Sequence, residues 1–163
     1  MNRLLVATGV SIALAVALIA SPAGATKHQR HKKAPAGISV SAAGKQYLAD
    51  VAPVNAATDT AKSAFDAATT APQLAAAAAP LVASIETLNS TMLRQQWPSV
   101  AKADVKSLVI AAGAELGDLN SLATINDSNA STIETNLSKD IAATGTAANI
   151  VRADLGLPAP AAG

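Results

Sequence analysis

Leu74, Ala78, Leu81, Ile85, Leu88 and Met92 recur at steps of 4, 3, 4, 3 and 4 residues. That rhythm places six apolar side chains along one side of an α-helix and scatters them in any extended chain. Ala101, Val105, Leu108, Ala112, Leu116, Leu119 and Leu122 follow nearly the same rhythm, with steps of 4, 3, 4, 4, 3 and 3. Ile133, Leu137, Ile141, Thr144, Ala148, Val151 and Leu155 make a third stripe, and Tyr47, Val51, Val54, Thr58, Ala61, Phe65 and Ala68 a fourth. No segment alternates with period two for long enough to make a strand, so the chain reads as all-α. Alanine, at 41 of 163 residues, strengthens the bias, because it gives up no side-chain entropy in a helix.

Punctuation separates the four stripes. Thr70-Ala71-Pro72 closes the first helix and opens the second, with proline in the first turn. Trp97-Pro98-Ser99 divides the second from the third. Asn126-Asp127-Ser128-Asn129 is a loop of cap-forming residues, and Ser131-x-x-Glu134 reads as a capping box for the fourth helix. Gly156 supplies a residue able to turn left-handed after the last turn, and Pro158 blocks continuation. Short connections make successive helices antiparallel. The expectation is an up-down four-helix bundle over residues 41–156, Ala-rich and kinked at Pro53 and Pro80. Gly44, Gly113, Gly117 and Gly145 are expected to let helices approach closely.

The chain begins differently. Residues 1–25 read as a secretory signal peptide: Met1-Asn2-Arg3 as a basic start, Leu4 to Ala20 as the apolar stretch, then Ser21-Pro22-Ala23-Gly24-Ala25 with its small-x-small ending. Cleavage after Ala25 is the first reading and after Ala23 the second. The rival is an uncleaved membrane anchor, for which 17 apolar residues are barely long enough. Either way the protein is placed outside the cell or at its envelope. No cysteine is present, which excludes disulfides and a lipid on a cleavage-site cysteine.

Residues 26–40 follow as a flexible basic tail. Lys27, Arg30, Lys32 and Lys33 give residues 26–33 a charge of +4, whereas the seven basic and eleven acidic residues of 34–163 sum to −4. Such a tail is drawn to anionic lipid or to cell-wall polymer. The acidic body lacks the basic face of a nucleic-acid binder. Residues 157–163, rich in proline and alanine, read as a disordered end.

No catalytic constellation emerges. His28 and His31, the full set of histidines, lie in the tail, so the body holds neither a Ser-His nor a Cys-His pair, and the chain reads as a non-enzyme. Glu115 and Asp118 stand three residues apart and read as a solvated acidic face. Asn55, two residues past Pro53, reads as satisfying a carbonyl freed by the proline. Arg152 in the last turn complements the helix dipole, and Trp97 caps one end of the core. Asn89, Asn126, Asn129 and Asn136 each begin Asn-x-Ser/Thr and read as cap and loop residues.

The segments "QYLADVAPVNAA" (46–57), Trp97-Pro98 and "VRADLGLP" (151–158) together resemble small exported α-helical proteins of actinobacteria, many of them lipoproteins. The resemblance covers most of residues 40–158. It implies export and a helical fold, and it brings no activity with it.

Two functions from different classes follow. The first is a secreted or envelope-associated helical module that binds or supports without catalysis. The alternative uses the tail. A chain cut after Ala25 begins Thr26-Lys27-His28, and a free amine with histidine in third position can wrap Cu(II) or Ni(II) in a square plane of amine, two backbone amides and one imidazole. His31 would assist as an outer ligand.

Overall fold

A computed structural model describes residues 38–159. Over that range the chain is a four-helix bundle: α1 Val40–Ala67, α2 Ala71–Arg94, α3 Lys102–Ser121 and α4 Ala130–Asp154, with a 3-10 turn at Leu122–Thr124. No strand occurs among the described residues. Each helix starts where local chemistry supplies a partner for its orphan N–H groups. Ser39 Oγ accepts from Ala42 N at 3.2 Å. Thr70 Oγ1 accepts from Gln73 N at 3.4 Å, while Gln73 Oε1 reaches back to accept from Thr69 N at 2.8 Å. That reciprocal exchange, with Pro72 in the first turn, sets the α1–α2 corner.

The capping box expected at Ser131 does not form. α4 begins one residue earlier, at Ala130, so Ser131 is already helical and its carbonyl accepts from Thr135 Oγ1. The corner is organised instead by Asn129 Oδ1, which accepts from Asn126 N at 2.7 Å, and by Asn126 Oδ1, which accepts from Ser128 N at 3.0 Å. Asparagine side chains can close such turns on their own backbone. Asn89 and Asn136, by contrast, lie inside α2 and α4.

The stripes form the core. Every residue of the α2 and α4 stripes is buried, as is every residue of the α1 stripe except half-buried Ala68. Consecutive helices pack on one another, α1 on α2, α2 on α3 and α3 on α4. Direction can be read at two seams. Asp50, early in α1, meets Gln95 just past the end of α2. Asp104 meets Asp154, and Asp118 meets Asp140, so rising positions on α3 oppose falling positions on α4. Both seams are consistent with antiparallel neighbours. Helices α1 and α2 continue through Pro53 and Pro80. Both prolines are exposed, as are Ala49 and Ala76, the residues whose carbonyls lose their helical donors, so water can satisfy them.

The C-terminal corner departs most from expectation. Gly156 has φ +65. Its N–H donates to Ala153 O at 3.0 Å, and Leu157 N donates to Arg152 O at 2.9 Å. This pair of bonds is a Schellman closure, and it needs the left-handed glycine. The turn sends Leu157 back onto α1, where a Cβ on Gly44 would lie 3.3 Å from Leu157 Cδ2 and 3.4 Å from Leu155 O. Leu157 and Pro158 thus belong to the folded body rather than to a disordered end. At the other terminus, Ile38 packs on the core and Ser39 and Val40 start α1, so the last residues assigned to the tail also belong to the bundle.

Among the described residues, Gly44 is the one glycine used for close approach, and it meets the returning C-terminal segment rather than a neighbouring helix. Gly113, Gly117 and Gly145 have no atom within 4 Å of where a Cβ would stand. They sit away from the buried stripes, so their small size brings no helices together. No described helix is long and apolar enough to cross a membrane. Residues 4–20, the candidate signal or anchor, lie outside the described range.

Candidate functional site

The steps along α3 explain its most unusual residue. Ala101, Val105, Leu108 and Ala112 advance by 4, 3 and 4, and the next step of three lands on Glu115, not Leu116. Leu119 then follows after four. Glu115 therefore occupies a core position between α3 and α4 and is 1% exposed, whereas Leu116 is only half-buried. This corrects the solvated-face reading of the Glu115–Asp118 pair. Across the seam stands Thr144, itself buried. It is near enough to favour the ionised form in part, yet the carboxyl oxygens of Glu115 and Thr144 Oγ1 complete no hydrogen bond of full geometry.

Burial pushes the Glu115 carboxyl above its usual range, Thr144 opposes the shift, and the neighbouring charges of Asp140 and Asp118 add to it. Asp118 is raised by burial and then by Asp140, which faces it, with Lys139 acting the other way. One turn of chain from the opposite end of the seam, burial and Asp104 raise Asp154. The α3–α4 seam thus carries two facing carboxylate pairs. Removing a charge from water without a hydrogen-bond partner is costly, and like charges add to that cost.

A second buried charge has the opposite character. Arg152 is 1% exposed. Its Nε and Nη2 donate to Pro158 O at 3.0 and 2.7 Å. The guanidinium thereby fastens the segment that the Schellman turn sends back over α1. Tyr47, on α1, is fully buried close to it; burial raises the phenol far above its usual range, and the Arg152 charge partly offsets this. Tyr47 Oη and Arg152 Nη1 complete no hydrogen bonds. Arg152 therefore does more than complement a helix dipole. Nearby, burial raises Asp50 while the Gln95 side chain opposes the shift. Trp97 Nε1 donates to Met92 O at 2.8 Å with its ring against the core, which agrees with its expected capping place. Asn55 is half-buried on α1.

Glu115 paired with Thr144 has the chemical parts of a proton donor. At 1% exposure, however, it lies out of a substrate's reach in this packing. No group of three or more His, Cys, Asp or Glu side chains among the described residues is arranged to hold a metal ion. Thr26, Lys27, His28 and His31, the expected metal ligands, lie outside the described residues. So do Lys27, Arg30, Lys32 and Lys33 as polymer contacts, and Ala23 and Ala25 as cleavage positions.

Comparison with protein-family models, curated proteins and solved structures returns no match.

Proposed function

We propose that the chain is a non-catalytic helical module that works outside the cell or at its envelope and is drawn to anionic lipid or wall polymer by Lys27, Arg30, Lys32 and Lys33. One observation carries the reading: Arg152, with Tyr47 beside it, holds the returning C-terminal segment in place. The strongest polar chemistry at that end of the bundle serves closure of the fold. The export pattern of residues 1–25 and the charge contrast between tail and body supply the rest.

Co-sedimentation with phosphatidylglycerol vesicles tests the proposal. Binding should fall steeply with salt, because the contacts are exposed charges. It should vanish when residues 26–37 are deleted, with the unfolding temperature unchanged. Binding that survives the deletion would place the contact on the helices, and turnover in a panel of hydrolase substrates, lost in Glu115→Gln, would overturn the non-enzyme reading.

The competing function, Cu(II) or Ni(II) capture by Thr26-Lys27-His28, rests on the third-place histidine that cleavage after Ala25 would create. Mass spectrometry of the exported chain decides whether that terminus exists.

A further inference from the structure

Three features of the α3–α4 seam converge. Glu115 is 1% exposed, and neither of its carboxyl oxygens completes a hydrogen bond. Thr144 opposite it is also buried, with its hydroxyl likewise unpaired. Asp118 faces Asp140 close by, one carboxylate from each helix. In the ionised state Glu115 is a buried charge beside the like charges of Asp118 and Asp140, with the Thr144 hydroxyl as a partial offset. Protonation removes the repulsion and the cost of burying the charge while keeping Thr144 as a partner. A Glu115 carboxyl O–H can donate to Thr144 Oγ1, and a proton on Asp118 removes its repulsion with Asp140.

We propose that the α3–α4 seam is a proton-operated clasp: Glu115, buried against Thr144, and Asp118, facing Asp140, take up protons on acidification and then hold the two helices together more tightly than at neutral pH. The proton is the ligand, and its binding groups are complete within the chain.

The groups facing the clasp are few. Asp118 on α3 and Asp140 on α4 act on Glu115 with the same sign as its own charge. Lys139 opposes them at Asp118. Helix α2 packs on the other side of α3, and its charged residues Glu86 and Arg94 are exposed. Asp104 and Asp154 form a second carboxylate pair across the same seam, so proton uptake there acts in the same direction.

The sign follows from linkage. The folded seam holds these protons more tightly than the unfolded chain does, since the Glu115, Asp118 and Asp154 carboxyls are all raised. The stabilisation is therefore fully present below the ordinary carboxylate range and is lost as pH rises through the raised folded values.

Thermal unfolding of the full chain, followed by circular dichroism, is the test. Lowering the pH from about 7.5 to the upper edge of the ordinary carboxylate range, about 5, should raise Tm. Glu115→Gln, neutral throughout, should start with a higher Tm at neutral pH and lose at least half of the rise. If that variant does not fold, carbon NMR of the wild-type side-chain carboxyls gives the same answer without substitution. The Glu115 signal should titrate above ordinary glutamates, and Asp118 above ordinary aspartates. A Tm that is flat or falls between those pH values, a variant that keeps the full rise, or a Glu115 carboxyl that titrates normally overturns the clasp.

Discussion

Arg152 and Glu115 are buried to the same extent, each 1% exposed, and they do opposite things. The guanidinium has a carbonyl held between two of its nitrogens, at 3.0 and 2.7 Å. The carboxyl has a threonine opposite, like charges nearby and no completed hydrogen bond. Arg152 therefore contributes to closing the fold, and Glu115 costs stability whenever it is ionised. Burial alone does not reveal whether a charge is structural; the geometry of its partners does.

Truncating Arg152 should produce the largest effect. Arg152→Ala removes both bonds to Pro158 O, frees the returning segment and leaves a void beside Tyr47, so it should destabilise by about 3 kcal/mol in urea unfolding. A loss below about 1 kcal/mol would mean that the corner closes through the glycine turn alone.

The sign should reverse at Glu115. Glu115→Leu replaces an unpartnered carboxyl by an apolar side chain in an apolar stripe, and should stabilise the chain at neutral pH by about 1–2 kcal/mol. Destabilisation would show that the carboxyl has a partner that matters, and the contrast with Arg152 would fail.

Glycines offer a smaller version of the comparison. Gly117→Ala meets nothing within 4 Å and should gain most of the helix advantage of alanine, about 1 kcal/mol. Gly44→Ala gains the same propensity but presses its Cβ against Leu157 and the Leu155 carbonyl, so its net change should be zero or negative. Equal gains at both positions in thermal unfolding would remove Leu157 from the packed corner.

The smallest expected effect is at the tail. Deleting residues 26–37 should leave the urea midpoint unchanged, since the described core begins at Ile38. If the exported chain starts at Thr26, it should also bind one Cu(II) more tightly as pH rises, because the amine and amides must release protons first. His28→Ala should abolish that binding.

Much of this is legible in the sequence. The helix spans, the Thr70-Ala71-Pro72 corner, the Trp97 cap and the Gly156 exit all depend on interactions between residues a few positions apart. Glu115 was legible too, through the step from Ala112, but the stripe is easily drawn through Leu116 because apolar residues are expected inside. The misplaced capping box has a similar origin. Ser131 fits the pattern, and Asn129 wins because its side chain can close the loop onto Asn126.

The sequence alone determined that the chain makes four helices, which side of each is buried and where the last one must stop. These are matters of period, propensity and backbone freedom within one or two turns. Only the tertiary structure decided that Leu157 returns to Gly44 and that Asp118 meets Asp140. Those contacts depend on the rotation and height of one helix against another. That arrangement is set by how all the side chains pack together, and no short window of residues contains it.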